Sequence, residues 1–225
     1  MSTEQQNEKV IAFVLYPELT LLDLIGPLQV LASLGTPYRS VVVGERVEVM
    51  DSDTRLRVMA ERSFDEVKQP FAVIVPGGLA GTFRAMGNQT ILDYLRSTAE
   101  TAEVVGSVCT GSLVLAAAGL LKGRKATTHW TLSSQLEKMG AQYVKERWVE
   151  DGKFITAAGV SAGIDMAIYL AARLTNEATA RMIQLAIEYD PQPPFGGIDW
   201  SQADVAAFEQ LFNLKELLAE IPAST

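Results

Sequence analysis

The chain alternates short apolar runs, rich in β-branched residues, with segments whose apolar residues recur at helical spacing. The apolar runs span residues 10–16, 38–44, 71–76 and 104–109. Runs of this length with helix-like segments between them are typical of a parallel sheet that is covered by helices. The pattern therefore predicts an α/β protein with a mostly parallel central sheet.

Two further pairs of short runs flank polar turns and predict β-hairpins. The first pairs residues 47–50 with residues 56–59, and the second pairs residues 143–149 with residues 153–157. We expect the second hairpin to extend the sheet or to form its edge.

Helical spacing is clear in six segments and in the tail. Asn176 is a candidate N-cap for the last of the six. The tail over residues 202–221 is also expected to be helical and to pack one face on the body or on a second subunit. The six predicted helices span residues 21–34, 89–100, 112–118, 132–139, 162–173 and 177–188.

Size and composition indicate a single globular domain over residues 1–225. Hydrophobic residues make up 48% of the 225 residues, which is enough for a substantial core. Lysine and arginine total 19 against 27 aspartates and glutamates, a net charge of −8, and no basic cluster interrupts this balance. These numbers argue against a nucleic-acid partner.

Membrane and metal partners are not expected either. The longest apolar stretches, residues 113–121 and 10–16, are too short to cross a bilayer. One cysteine and one histidine make neither an intramolecular disulfide nor a credible zinc site. The polar opening lacks the basic start and apolar core of a signal peptide, so the cytoplasm is the expected location.

The one cysteine, Cys109, lies where an apolar strand-like run stops and a helix-like run begins. A thiol at the first turn of a helix is close to unpaired backbone N–H groups and the positive end of the helix dipole, which favour the thiolate. The position therefore predicts a reactive cysteine. The alternative is a small apolar residue that is buried at a strand end.

Three chain segments are expected to meet near this cysteine. In an open α/β sheet, ligands bind beyond the carboxyl ends of the strands. Those ends lead here to Asp23, to Gly77-Gly78 and to Cys109-Thr110. The rim would thus combine a carboxylate, a flexible loop of backbone N–H donors and a thiol.

Asp23 has two interpretations. Thr20 and Asp23 have the spacing of a capping box, in which the acid only stabilises the start of a helix. Alternatively, an apolar setting raises the pKa of its carboxyl, which could then hold a proton near neutral pH and orient or protonate the thiol. The apolar neighbours in sequence are Leu21, Leu22, Leu24 and Ile25.

Gly78 and Thr110 are candidates for binding a developing negative charge. The Gly78 N–H, together with those of Thr110 and Gly111, could complete a pocket for such a charge. Each also has a purely structural interpretation, because Gly-Gly pairs make turns and threonine caps helices.

His129, the only histidine, follows the cysteine by about twenty residues. It could be the base that activates the cysteine, a residue of the pocket, or a structural histidine near Thr128 and Trp130. Glutaminase-type cysteine triads on related folds resemble His-x-Glu in this region. Trp130 and Thr131 follow here instead, which argues against amide hydrolysis by a full triad.

The segment Gly159-Val-Ser161-Ala-Gly163 matches the serine elbow of α/β-hydrolases. Hydrolases of that type place their histidine after the serine, whereas His129 precedes Ser161 and no other histidine follows. We therefore interpret the segment as a tight turn and helix start, with Val160 and Ser161 lining a pocket.

Taken together and in this order, these motifs resemble the ThiJ/PfpI superfamily over residues 10–195. Within it, the pattern is most similar to members that hydrate isonitriles. The motifs that carry the resemblance are Leu22-Asp-Leu-Ile-Gly-Pro27, Pro76-Gly-Gly78, Ser107-Val-Cys-Thr-Gly-Ser112, Thr127-Thr-His-Trp130, Gly159-Val-Ser-Ala-Gly-Ile-Asp165 and Tyr189-Asp-Pro-Gln-Pro-Pro194.

The resemblance implies a flavodoxin-like three-layer sandwich with the cysteine at a nucleophile elbow, usually in a homodimer and with no cofactor. Many members have glutamate where this chain has Asp23, and isonitrile-hydrating members resemble it in having aspartate. Proteolytic and glyoxalase-like members tend to place a histidine at or near the position of Thr110. Those activities therefore rank lower.

The implied reaction hydrates a small-molecule isonitrile to an N-substituted formamide. The Cys109 thiolate would attack the terminal carbon while Asp23 supplies or relays a proton, giving a thioimidate that water then releases. The N–H groups of Gly78 and Thr110 would stabilise charge or position the acid.

Two alternatives from other classes stay open. Related sequences serve as the ligand-sensing half of AraC-type regulators, but the basic helix-turn-helix segment of such regulators is not expected here. The other alternative is a redox sensor, in which Cys109 is oxidised to a sulfenic or sulfinic acid.

Overall fold

The computed structural model describes residues 8–211 of the chain. Its main element is a seven-stranded sheet in which neighbouring strands are parallel, except for the antiparallel pair at one edge. The predicted α/β architecture is confirmed, and each of the four predicted apolar runs forms a strand. From the antiparallel edge the strands are β10 (Trp148–Asp151), β11 (Phe154–Ala157), β7 (Val104–Val108), β6 (Ala72–Val75), β1 (Lys9–Val14), β2 (Tyr38–Gly44) and β5 (Arg62–Ser63).

Both predicted hairpins are present, and the second needs a correction. The first is a separate antiparallel ribbon of β3 (Val49–Asp51) and β4 (Arg57–Met59). The second is the edge pair of the main sheet, in which pairing begins at residue 148 rather than 143. The chain turns before that point and forms β9 (Gln142–Tyr143), which pairs in parallel with β8 (Lys125–Ala126).

Helices cover both faces of the main sheet, which makes the three-layer sandwich. One layer contains α1, α6 and α7, and the other contains α2, α3 and α4. The cap prediction for α7 is confirmed, because the Asn176 side chain accepts the Thr179 N–H at 2.9 Å. The helices are α1 (Leu21–Ala32), α2 (Leu79–Gly87), α3 (Gln89–Thr101), α4 (Gly111–Ala117), α5 (Ser133–Lys138), α6 (Ala162–Leu174), α7 (Glu177–Ala186) and α8 (Val205–Leu211).

Helix α2 was not predicted: in this region the sequence indicated only the flexible loop at Gly77-Gly78, and no element was assigned to the residues after it. Two glycines in nine residues disfavour a helix on propensity alone. Tertiary packing overrides this preference: a Cβ at Gly81 would lie 2.5 Å from the Pro17 carbonyl oxygen. A side chain there would therefore push α2 away from the segment that precedes α1.

The predicted tail helix lies partly outside the described residues. Within them it begins at Val205, after a short 3₁₀ turn at Trp200–Gln202. No helix among residues 8–211 is long and apolar enough to span a membrane.

Candidate active site

Cys109 lies on the sharp turn between β7 and α4. Its φ is +55°, in the left-handed region that non-glycine residues rarely adopt. The Cys109 N–H donates to the Ala157 carbonyl at 3.1 Å, which fixes the turn against β11. Such strained residues tend to occur at functional sites. The predicted elbow is therefore present, and its thiol is nearly buried, with 6% of the residue exposed.

Asp23 is fully buried and turns toward this elbow. Its Oδ2 accepts the Gly77 N–H at 2.9 Å, whereas Oδ1 has no hydrogen-bond partner among the described residues. Asp23 and the Cys109 thiol are close enough for each to influence the pKa of the other, but no hydrogen bond joins them among the described groups. The Thr20 side chain makes no cap bond, so the capping-box interpretation is wrong.

Burial raises the pKa of the Asp23 carboxyl to about 7; the Gly77 N–H and the Cys109 thiol oppose this shift, and the charge of Asp53 adds to it. The predicted direction is right, and the four predicted neighbours divide into two groups. Leu24 is buried with Asp23, whereas Leu22 and Ile25 are 47% and 40% exposed and turn toward the surface.

The thiol of Cys109 does not favour the thiolate as the helix dipole alone predicts. Burial raises its pKa well above the ordinary value, and the nearby charge of Asp23 raises it further. The N–H and hydroxyl of Thr110 act in the opposite direction. The raised pKa favours the thiol over the thiolate, so attack by the sulfur would require a group that accepts its proton.

The two glycines after β6 bring these groups together. A Cβ at Gly77 would lie 2.6 Å from the Thr110 nitrogen and 2.7 Å from Asp23 Oδ2, so only glycine fits. The Gly78 N–H donates to Thr110 Oγ1 at 3.0 Å. In this structure Gly78 is thus bonded to Thr110 and does not present its N–H to an open pocket, which departs from the expectation of a free charge-binding donor.

A chain of buried hydroxyl groups behind Cys109 was missed by sequence reasoning. The Tyr16 hydroxyl donates to the Pro76 carbonyl at 2.6 Å and lies 3.3 Å from Thr82 Oγ1. Thr82 Oγ1 in turn lies 2.7 Å from Thr110 Oγ1. Thr82 belongs to the unpredicted helix α2, so no local signal marked it. Tyr16, at the end of the first apolar run, could have been found.

The predicted pocket residues His129, Val160 and Ser161 lie together in the wall of one cavity. Its volume is about 550 Å³, in the range of small-molecule sites. Cys109 and Asp23 are not among its lining residues; the cavity is linked to the elbow by Thr128, which lines it and whose hydroxyl donates to the Cys109 carbonyl at 3.1 Å. The other lining residues are Leu22, Trp130, Tyr143, Lys145, Glu146, Arg147, Ala158, Gly159, Ile198 and Trp200.

His129 lies in the cavity wall, where burial lowers the pKa of its imidazole. Its Nδ1 is hydrogen-bonded to Thr131 Oγ1 at 2.8 Å, and its ring lies 5.5 Å from that of Phe208. No hydrogen bond joins it to Cys109 among the described groups. The geometry therefore supports a wall residue better than a base for the thiol.

Ser161 precedes α6 at the cavity rim. Its Oγ accepts a hydrogen bond from Arg147 Nη2 at 3.2 Å, and the same arginine pairs with Asp165. The Tyr189 hydroxyl also donates to Asp165, at 3.1 Å. These contacts connect the segment after α7 to the cavity rim. They give Ser161 a structural role, so its position does not require that it act as a nucleophile.

Within residues 8–211, no group of three or more His, Cys, Asp and Glu side chains is arranged to hold a metal ion. The chemistry at the elbow consists of one thiol, one buried carboxyl, hydroxyl groups and backbone N–H donors. These features define a cysteine-elbow site on a flavodoxin-like sheet.

Comparisons with known proteins agree with this class. The model of the DJ-1/PfpI family matches residues 9–173, and the chain belongs to this family. Isonitrile hydratase of Pseudomonas putida is 45% identical over 82% of this chain and 80% of its own length. The crystal structure of a THiJ/PfpI family protein from Pseudomonas syringae has a TM-score of 0.88 and 34% identity, covering 95% of this chain and 90% of that one.

A more distant structure, Drosophila melanogaster DJ-1beta, has a TM-score of 0.74 and 22% identity, covering 80% of this chain and 98% of that one. At this identity the likeness concerns the fold alone. The predicted flavodoxin-like sandwich and family resemblance are both confirmed.

Proposed function

We propose that this protein hydrates an isonitrile to an N-substituted formamide, with Cys109 as nucleophile and Asp23 as the group that moves protons. The observation that carries the proposal is the approach of Asp23 Oδ2 and the Thr110 nitrogen to the same side of Gly77, which brings a buried carboxyl with a pKa raised to about 7 to the elbow of Cys109. A group that titrates near neutral pH can both accept and donate a proton during turnover. The similarity to isonitrile hydratase selects this reaction among those open to such a pair.

In the first step, Asp23 takes the thiol proton as the sulfur attacks the terminal carbon of R–N≡C. Asp23 then delivers that proton to the same carbon, which leaves a neutral thioimidate, R–N=CH–S–Cys109. The Thr110 N–H and hydroxyl favour negative charge on the sulfur at the moment of attack.

In the second step, water adds to the thioimidate carbon and one of its protons goes to nitrogen. The tetrahedral intermediate then expels the sulfur, which recovers a proton from the new hydroxyl through Asp23. The product is R–NH–CHO, and both Cys109 and Asp23 return to their starting states. In this scheme Gly78 positions the Thr110 hydroxyl rather than binding charge itself.

We further propose that the cavity beside the elbow holds the R group. Its wall includes the aromatic side chains of Trp130, Tyr143 and Trp200 and the aliphatic side chains of Leu22 and Val160. Such a wall suits an apolar or aromatic R group. Its adjacency to Cys109 through Thr128 supports this assignment.

A homodimer is part of the proposal. The β3–β4 ribbon exposes the cross-strand pair Val49 and Met59, each 57% exposed, with Val47 and Leu56 also exposed on the same hairpin. A contiguous exposed apolar surface of this kind marks a protein interface. The partner proposed for it is a second copy of the chain.

The test follows conversion of an aromatic isonitrile to its formamide by ultraviolet absorbance, with folding checked by circular dichroism. Cys109→Ala is expected to abolish turnover, and Asp23→Ala to reduce it by about a hundredfold or more. Ser161→Ala, a matched control at the cavity rim, should retain a large fraction.

Loss of activity in Ser161→Ala while Cys109→Ala stays active would overturn the assignment. No product from the folded wild-type protein, across several isonitriles, would instead leave a different electrophile or the oxidation of Cys109 as the function of this site.

A further inference from the structure

The elbow at Cys109 is restrained by hydrogen bonds on both sides of its backbone. Its φ of +55° is unfavourable for a residue with a side chain and persists only where the surrounding structure imposes it. The Cys109 N–H donates to the Ala157 carbonyl at 3.1 Å. The Cys109 carbonyl accepts two hydroxyl groups, from Ser112 at 3.2 Å and from Thr128 at 3.1 Å.

The direction of both hydroxyl bonds is fixed, because a carbonyl oxygen can only accept. Ser112 and Thr128 are fully buried, so water does not compete for these bonds. The two donors differ in origin. Ser112 lies on α4, three residues after Cys109, and moves with the elbow. Thr128 belongs to the segment between β8 and α5, so its bond connects the elbow to another part of the fold.

The segment that carries Thr128 is itself anchored to the main sheet. The Thr127 N–H donates to Thr156 Oγ1 at 2.8 Å, and the Thr127 hydroxyl donates to the Glu146 carbonyl at 3.3 Å. Thr156 lies on β11, which pairs with β7, the strand that leads into Cys109. Thr128 can therefore hold the Cys109 carbonyl from a fixed position.

This bond also orients the next backbone donor. A trans peptide group is planar, and its carbonyl and N–H point in opposite directions. Holding the Cys109 carbonyl therefore sets the direction of the Thr110 N–H as well. The Thr110 nitrogen lies beside the Gly77 turn, where a Cβ would be 2.6 Å from it and 2.7 Å from Asp23 Oδ2. The bond from Thr128 thus helps to set how the elbow faces the buried carboxyl.

We propose that Thr128 is a positioning residue for the nucleophile: its hydroxyl holds the Cys109 carbonyl and keeps the strained elbow in the conformation that faces Asp23. This inference rests on the proposed role of Cys109 in isonitrile hydration. Thr128 also lines the proposed R-group cavity, so one residue joins the wall that holds the substrate to the turn that carries the thiol.

Thr128→Val removes the hydroxyl while nearly keeping the shape of the side chain. In the hydratase assay, kcat should fall by roughly three- to tenfold, the factor expected for one lost hydrogen bond. KM should change little, because valine fills the same space in the cavity wall. A residue that only lined the cavity would change KM instead.

A second measurement needs no isonitrile. The residue Cys109 is only 6% exposed, so iodoacetamide reaches its thiol when the elbow opens. Loss of the bond from Thr128 makes that opening easier, and alkylation should be faster in Thr128→Val than in the wild type by a similar factor. A lower kcat together with faster alkylation is the expected result for an elbow that has lost this restraint.

Thr128→Ser keeps the hydroxyl and should restore most of the kcat and the slow alkylation. Thr98→Val is the matched control, because Thr98 is a fully buried threonine on α3 whose hydroxyl donates to the Leu95 carbonyl at 3.2 Å. This control loses a comparable bond that does not involve the elbow. Both of its rates should stay near those of the wild type.

Unchanged kcat and alkylation in a folded Thr128→Val protein would overturn the proposal. So would a Thr128→Ser protein as impaired as Thr128→Val, or an equal gain in alkylation in Thr98→Val, since packing or global stability would then explain the effect. If Thr128→Val does not fold, Thr128→Ala provides the same comparison. A wild-type protein without hydratase activity would reject the proposed reaction, and the alkylation rates would still test Thr128.

Discussion

A buried carboxyl with one partnerless oxygen is costly for a folded protein, and Asp23 is such a group. Its Oδ1 has no hydrogen-bond partner among the described residues, and its pKa of about 7 stands well above the ordinary 3.8. The native state therefore binds this proton more tightly than the unfolded chain does. At the residue scale, the feature that suits Asp23 to proton transfer also lowers stability at neutral pH.

This gives a prediction for Asp23→Asn. In the wild type, the contribution of Asp23 to the free energy of unfolding should fall as the pH rises from about 3.8 to about 7, because Asp23 must then be ionised in a buried place. The asparagine stays neutral and can still accept the Gly77 N–H. Above pH 7 the variant should be more stable by roughly 1–3 kcal/mol, with the difference vanishing at low pH.

Urea unfolding over a pH series measures this difference. Asp65→Asn, which removes an exposed carboxylate, serves as the control and should show no such pH-dependent gain. Equal stability of Asp23→Asn and the wild type at every pH would mean that Asp23 is not desolvated in the folded protein.

At the scale of elements, the β3–β4 hairpin holds the start of α1, the helix that carries Asp23. Asp53 in the hairpin turn accepts the Leu21 N–H at 3.0 Å, and its own N–H donates to the Leu19 carbonyl at 3.0 Å. Asp53 thus acts as the N-terminal cap that Thr20 was predicted to provide. The cap of α1 is thus provided by a residue about thirty positions away in sequence, rather than by the residue that directly precedes the helix.

Asp53→Ala should lower the free energy of unfolding by about 1 kcal/mol, the usual cost of losing a cap. It should also reduce kcat, because the first turn of α1 positions Asp23. Asp53→Asn keeps an acceptor oxygen and should stay near the wild type. Thr54→Ala is the control from the same turn, since its hydroxyl bonds to Ser52 rather than to α1. Denaturant unfolding that shows equal losses for Asp53→Ala and Thr54→Ala would contradict the capping role.

At the scale of the whole molecule, the exposed apolar pair on the β3–β4 ribbon is one of several apolar features that a single copy leaves uncovered among the described residues. The same ribbon is hydrogen-bonded to the start of α1 through Asp53, so an interface there would also restrain the start of that helix. Dimerisation through this surface would therefore stabilise the elements that position the site.

Sedimentation analysis is expected to give a mass of twice the chain. Val49→Glu places a charge in the proposed interface and should shift the protein to the monomer at micromolar concentration, because burying an unpaired charge is costly. Met182→Glu, at an exposed position on α7, is the matched control and should remain dimeric. A monomeric wild type, or a Val49→Glu protein that is still dimeric, would contradict this interface.

The sequence by itself determined most of the elements, with helix α2 as the exception among the described helices, and the rim where they meet. Apolar runs of strand length and helical spacing are local properties, and parallel strands bring their carboxyl ends to one edge, so Asp23, Gly77 and Cys109 could be placed together in advance. The glycine turn at residues 77 and 78 and the elbow at Cys109 could likewise be predicted from the sequence, since tight turns have local signatures.

Only the tertiary structure decided how these groups behave. Desolvation depends on every segment that closes over a group, so burial opposed the helix dipole at Cys109 and was the main cause of the raised pKa of Asp23. Helix α2 forms against its propensity because Gly81 packs on the Pro17 carbonyl, and with it came Thr82 and the hydroxyl chain. Local pattern fixes which residues can meet, whereas burial and hydrogen-bond partners are set by the whole fold.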